Sequence, residues 1–274
     1  MSELSFQTPH GTIHGMQYGE GEVCLALHGW LDNAATWSVL APQLKFRVIA
    51  LDLPGHGHSS HRAGPYHIWD SLSDLLAIVQ QLDETPHWLG HSMGAGIATL
   101  FAGCFPEHAR SLNLVEGFGP WVEPKLNACE QLRRAAIAQQ WPAKTPRPYA
   151  SLEQATQIRA SRGVSTVAPQ AIRPIVERAM KPVEAGWVWR ADPALSQPSP
   201  LKLEPHQIKS CIENISCPIR IALGSQGMLV DKPEFSERLD WAQACQMRVF
   251  EGDHHLHCYP QAAYPIAQWF NQDH

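Results

Sequence analysis

The sequence lacks any apolar run near the ~18 residues needed to cross a membrane, so no membrane span is expected. It also lacks a basic run; the longest basic cluster is Arg133-Arg134. The formal net charge is −5. Nucleic acid and anionic membrane surfaces are therefore poor partners, because both select clustered Lys and Arg. No CxxC pair occurs among the seven cysteines, whose number is odd and whose spacing is irregular. That pattern fits a reducing compartment, and a cytoplasmic location is expected. Met1 to Gly21 has neither a charged start nor an apolar stretch, so it does not read as a signal peptide. Charged residues make up only 17% of the chain and hydrophobic residues 44%, which favours a sizeable core over disorder. Repeats and low-complexity segments are absent.

Short apolar runs alternate with helical patterns along the chain. Val23 to Leu27 and Val48 to Leu51 have no polar interruption. Such runs suit central parallel strands, which are buried on both faces. Trp88-Leu89, Leu112 to Val115, Ile219 to Leu223 and Met247 to Phe250 follow in the same manner. Trp69 to Leu82 places leucines at helical spacing, and Ala262 to Phe270 forms a last helical stretch. Strand–helix alternation over a whole chain predicts a parallel α/β sheet.

One region departs from this pattern. Residues 118 to 205 hold 12 of the 22 prolines, together with Trp121, Trp141, Trp187 and Trp189. Glu130 to Gln140 and Ser151 to Ala160 read as helical, but no central strand is evident. Proline breaks helices and cannot sit inside a sheet. The expectation is a helical insertion, with residues 1–117 and 206–274 forming the core.

Three motifs carry chemistry. Gly90-His-Ser92-Met-Gly94 lies between a short strand and a helix of small residues, Ala95 to Ala102. A Gly-x-Ser-x-Gly in that setting is a nucleophile elbow: a turn so tight that a Cβ two residues either side of the serine would collide with its neighbours. Next, His28-Gly29-Trp30 directly follows the Val23 strand. The backbone N–H of Trp30, with that of Met93, would form an oxyanion hole. Third, Gly252-Asp-His254-His255-Leu-His257 precedes the last helix. A serine hydroxyl needs a base to take its proton, and histidine suits that role. Three histidines compete, and His254, two residues past the glycine, is the favoured base. The same cluster and that of His56, His58 and His61 invite a metal reading. No carboxylate or cysteine pattern frames either one, so no metal is expected. Asp52 to Ser59 reads as a structural turn.

The set HGW, DLPGHGHS, GHSMGAG and GDHHLH, in that order, resembles the α/β-hydrolase superfamily. Within it, HGWLDNAATW, LVEGFGP and GDHHLH resemble the serine-hydrolase-like proteins. The resemblance implies a mostly parallel eight-stranded sheet with helices on both faces, a Ser-acid-His triad and a helical cap made by the insertion. It implies a serine hydrolase that cleaves a small-molecule ester or thioester through an acyl-enzyme, with no cofactor. Such folds host many chemistries, so carbon–carbon bond hydrolysis and a non-catalytic ligand-binding or scaffold role stay open. Haloalkane dehalogenases and related epoxide hydrolases use an aspartate nucleophile, which Ser92 opposes. One departure matters. Many members carry the triad acid in a Gly-x-x-Asp turn, and here that turn is Gly224-Ser-Gln-Gly227. Two other acids keep the chain order Ser…acid…His. Asp231 lies shortly after the vacant position, and Glu116 ends the Leu112 strand, where some haloalkane dehalogenases carry a glutamate.

Overall fold

The sheet begins with a hairpin that the sequence reading leaves unassigned. The computed structural model describes residues 1–122, 127–140, 147–162 and 167–272. Strands β1 (Ser2–Thr8) and β2 (Gly11–Tyr18) pair antiparallel, with Thr8 opposite Gly11 at the turn. In β1 only Leu4 and Phe6 lean on the core. An edge strand with one wet face carries no continuous apolar run, so composition hides it.

The central strands are β3 (Val23–Leu27), β4 (Arg47–Leu51), β5 (His87–His91) and β6 (Leu112–Val115). Helix α1 (Ser71–Val79) precedes β5, and α2 (Met93–Cys104) follows it. After β6 come α3 (Ala128–Gln139), α4 (Leu152–Arg162) and α5 (Pro169–Ala179). A separate two-stranded ribbon, β7 (Met180–Val183) and β8 (Gly186–Trp189), then leads to α6 (Pro205–Glu213). The core resumes with β9 (Ile219–Gly224), α7 (Pro233–Leu239), β10 (Cys245–Phe250) and α8 (Pro260–Phe270). The eight-stranded order is β1-β2-β4-β3-β5-β6-β9-β10. Only β2 runs against its neighbours; the pairings from β4 to β10 are parallel.

Period-two alternation divides the core between the two faces of the sheet. Leu25, Leu27, Trp88 and Leu114 pack with Leu75 of α1 and Phe101 of α2. Cys24, Ala26, Leu89 and Val115 face the other way, against Ile266 and Trp269 of α8. Each large side chain so buried contributes about 1.5–3 kcal/mol.

The region between β6 and α6 has a small core of its own, around Ile172, Ile175 and Val176. It is helical as expected, with the β7–β8 ribbon added. Its contacts run to loops at the C-terminal ends of the parallel strands. Arg178 pairs with Asp52, Arg159 with Asp32, and Asn33 donates to the Ile175 carbonyl. Trp187 and Trp189 pack on this small core. Trp141 lies outside the described residues. Among the described residues, no helix is long and apolar enough to cross a membrane.

Candidate active site

Ser92 sits between β5 and α2 with φ 52° and ψ −114°. A non-glycine residue held at positive φ carries about 1–3 kcal/mol of strain, which its surroundings must over-determine. They do so by contact. A Cβ on Gly94 would lie 2.2 Å from the Leu27 carbonyl oxygen, and one on Gly90 would lie 2.7 Å from the Ala95 Cα. Only glycine lets α2 start this close to the sheet. The Ser92 N–H donates to the Val115 carbonyl at 3.0 Å, tying the elbow to β6.

Glu116 follows β6 directly and is also strained, at φ 51°. Its side chain is fully buried and accepts three hydrogen bonds. Oε1 takes the Gly224 N–H at 2.8 Å; Oε2 takes the Met228 N–H at 2.8 Å and His254 Nδ1–H at 3.0 Å. A carboxylate only accepts, so the His254 proton is on Nδ1 and its Nε2 carries the lone pair. Gly227 makes room for this. A Cβ there would lie 2.1 Å from Glu116 Oε1. The Glu116 carboxylate therefore occupies the space that a side chain at 227 would need. Asp231 is exposed, and no contact joins it to His254 among the described residues.

The other histidines hold loops together. His91 donates from Nε2 to the His254 carbonyl at 2.9 Å. His255 Nε2 donates to Asp32 Oδ2 at 3.2 Å, and His257 Nε2 meets Thr36 at 2.8 Å. Burial and neighbouring imidazoles push His91 and His257 well below the ordinary histidine pKa. Burial alone would raise Asp32, yet His255 and Arg159 hold its carboxyl well below the usual range. Neither histidine cluster of the sequence reading converges as a ligand set. Instead Asp32, His91 and His255 approach one another, with ligand atoms within 4.8 Å. The Asp32 charge is already matched by Arg159 at 2.8 Å, which leaves little for a divalent ion. No sequence spacing could reveal this trio, since its members come from two separate loops and the end of β5. His56 is a strut too: it accepts from the Leu31 N–H and reaches the Pro54 carbonyl. His61 points away, toward the Arg190 carbonyl.

Trp30 and Leu31 form the centre of a turn closed by the Asp32 N–H on the Gly29 carbonyl at 3.1 Å. Leu31 takes φ 61° to complete it. Among the described residues, no hydrogen bond takes up the backbone N–H of Trp30 or of Met93. The Trp30 ring is 44% exposed and turns outward, its indole N–H on the Leu195 carbonyl.

Ser92, Met93, Glu116 and His254 line one cavity of about 530 Å³. No direct hydrogen bond joins the Ser92 hydroxyl to His254 among the described residues; the two share the cavity wall. The rest of the wall has two sources. Phe118 to Val122, at the start of the insertion, supply one side, and Met228 to Trp241, which include α7, supply the other. The sequence reading passed over the second. Its signal was Pro233 as a helix start with Phe235 and Leu239 at helical spacing. Of the insertion's tryptophans, Trp121 lines the cavity.

Known proteins agree with this architecture. The family model described as alpha/beta hydrolase fold matches residues 23–259. A serine hydrolase-like protein of Danio rerio is 25% identical, over 93% of this chain and 83% of its own length. A probable serine hydrolase of Drosophila melanogaster is 27% identical, over 93% and 82%. The crystal structure of a hypothetical protein from Pseudomonas aeruginosa PAO1 superposes with a TM-score of 0.92. It is 36% identical, over 99% of this chain and 98% of its own. An elbow serine on a mostly parallel eight-stranded sheet, and a family match over most of its length, make this chain a member of the α/β-hydrolase fold family.

Proposed function

We propose that the protein hydrolyses carboxylic esters or thioesters through an acyl-enzyme, with Ser92, His254 and Glu116 as its triad. The observation that carries this reading is the Glu116–His254 hydrogen bond, seated in the space left by Gly227 and opening on the cavity of Ser92. Ser92 Oγ attacks the carbonyl carbon and gives its proton to His254 Nε2. The carbonyl oxygen becomes an oxyanion facing the N–H groups of Trp30 and Met93. As the tetrahedral intermediate collapses, the bond to the leaving alcohol or thiol breaks and His254 protonates that group. A water molecule, deprotonated by His254, then attacks the acyl-serine and frees the acid. Glu116 keeps His254 in the Nδ1–H tautomer and stabilises the imidazolium between steps. No cofactor takes part in this scheme.

Residues 118–205 act in this reading as a cap over the C-terminal edge of the sheet, on a core of residues 1–117 and 206–274. The apolar wall suits a hydrophobic acyl group. Seven free cysteines favour a reducing compartment, and hence the cytoplasm. A non-catalytic scaffold draws its support from the glycine at 227, and the Glu116–His254 hydrogen bond supports the catalytic reading against it. The test is labelling with a fluorophosphonate probe, alongside turnover of graded p-nitrophenyl and acyl-CoA esters. Labelling that survives Ser92→Ala, or no labelling of the native protein, would end the reading.

A further inference from the structure

Arg238 lies on α7, is 9% exposed and lines the cavity that holds Ser92. Its Nη1 donates to the Phe118 carbonyl at 2.6 Å and its Nη2 to the Pro120 carbonyl at 2.8 Å. A guanidinium has five N–H groups, so three remain: Nε–H and one on each terminal nitrogen. Among the described residues, no carboxylate forms an ion pair with Arg238. Three other arginines with little exposure pair with carboxylates, Arg178 with Asp52, Arg159 with Asp32 and Arg62 with Asp74, while Arg220 donates to the Phe270 and Gln272 carbonyls far from the cavity. Glu234 and Glu237, on the same helix, act on Arg238 only from a distance and are exposed at the rim beside Lys232. Burial accordingly pulls the pKa of Arg238 down, and those two charges restore it only in part.

A cation withdrawn from water without a counter-ion is costly, and two neutral carbonyls offset only part of the loss. The unused donors suit an anion that arrives with the ligand. Nε–H and the adjacent terminal N–H form the planar fork that matches a carboxylate. One buried cation balances one negative charge, which favours a carboxylate over a phosphate dianion. The same wall carries the apolar Phe118, Trp121, Leu229, Phe235 and Trp241, with Lys232, Glu234 and Glu237 also on it.

We propose that this cavity takes an acyl chain that is apolar along its length and ends in a carboxylate, with Arg238 as the specificity-determining residue that pairs with it. The bond that is cleaved rests on the hydrolase reading above; the anion site does not. Arg238 also supports the loop of residues 118–120, so the test must separate recognition from support. The p-nitrophenyl hemiesters of adipic, pimelic and suberic acid are compared with p-nitrophenyl hexanoate, heptanoate and octanoate. Native protein should prefer the hemiesters by kcat/KM. Arg238→Met should lower that preference by roughly 10- to 100-fold, mostly through KM, and Arg238→Lys should restore part of it. Equal losses on both series, with the ratio unchanged, would mean support alone and overturn the proposal. Free pimelate is also titrated by calorimetry into Ser92→Ala and into Ser92→Ala with Arg238→Met. Binding to the first and not the second is expected; binding to neither, or equally to both, overturns the proposal. Pimelate binding without hydrolysis of any ester would sink the hydrolase reading and leave the anion site standing.

Discussion

The sharpest test of the site is Glu116→Gln. The native carboxylate accepts from Gly224 N–H on one oxygen, and from Met228 N–H and His254 Nδ1–H on the other. A glutamine offers one acceptor oxygen and one NH2 group. Whichever way the amide turns, its NH2 faces a backbone N–H, and one buried donor is left unmatched. That costs about 1–3 kcal/mol of stability, or several degrees in Tm at roughly 2–4 °C per kcal/mol. The kinetic loss should be larger. With the oxygen on Gly224, His254 Nδ1 meets an NH2 group and must carry its proton on Nε2, where it cannot act as base. With the oxygen on Met228, the tautomer survives but the counter-charge for the imidazolium is gone. Replacing the buried acid of a serine triad by its amide costs about 10⁴ in kcat. The expectation here is 10³ to 10⁴, or about 4–5.5 kcal/mol of transition-state stabilisation, with KM within a few-fold. Steady-state hydrolysis of a p-nitrophenyl ester, the rate of fluorophosphonate labelling and a melting curve measure the three effects. A folded variant with kcat within tenfold of native would refute the reasoning, as would an equal loss in Asp231→Asn.

Ser92→Ala should lower ester turnover by 10³-fold or more with the fold retained, measured by the same assay and by circular dichroism. Gly227→Ala should act at a distance in sequence. Its Cβ would fall 2.1 Å from Glu116 Oε1, so the carboxylate must move off His254, and kcat should fall toward that of Glu116→Gln. Stability should drop steeply between pH 6.5 and 5. His28, His56, His91 and His257 are buried and held below the ordinary pKa, His56 at about 3. Unfolded histidines take protons near pH 6.5 while these do not, so each removes up to about 1.4 kcal/mol per pH unit below that point. Asp32 works in a lower window, since its depressed pKa adds stability that is lost only as pH falls below about 4. Urea midpoints that stay flat from pH 7 to 5 would contradict the histidine assignment.

The motifs that sit on continuous strands were legible in the sequence. Val23 to Leu27 is buried at every position, and an unbroken apolar run announces that. Gly90 to Gly94 was legible because each residue is fixed by a local steric need. The β1–β2 hairpin was not, since β1 has one wet face and polar residues interrupt the apolar ones of β2. Only Trp88-Leu89 of β5 was apolar enough to notice, because its ends are histidines that serve other loops. Glu116 was visible as a candidate through its place at the end of a strand. What could not be read was its hydrogen bond to His254, which depends on the space that Gly227 leaves beside residue 116. Likewise Arg238 carries no local signal, for its meaning lies in the lack of a paired carboxylate among the described residues around it.

The strain at the site has a common origin. The three non-glycine residues at positive φ among those described are Leu31, Ser92 and Glu116. Ser92 and Glu116 directly follow β5 and β6, Leu31 lies four residues past β3, and these three strands are consecutive neighbours in the sheet. Parallel strands finish at the same level, so their exits compete for one small volume. Regular extended exits would carry the side chains up and apart. A left-handed residue directly after β5 and after β6 turns the chain sharply instead, which keeps the polar groups at the sheet edge and lets α2 begin directly under Ser92. For Glu116 the consequence is a reach from β6 toward β9, about 4.8 Å away. A glutamate with its added methylene can make that reach, and it docks on the N–H groups of Gly224 and Met228, which belong to the β9 loop itself. Glu116 is thus held by the end of β9 and the turn that follows it. That coupling predicts that a side chain at position 227 would displace the Glu116 carboxylate from His254, since its Cβ would fall 2.1 Å from Oε1.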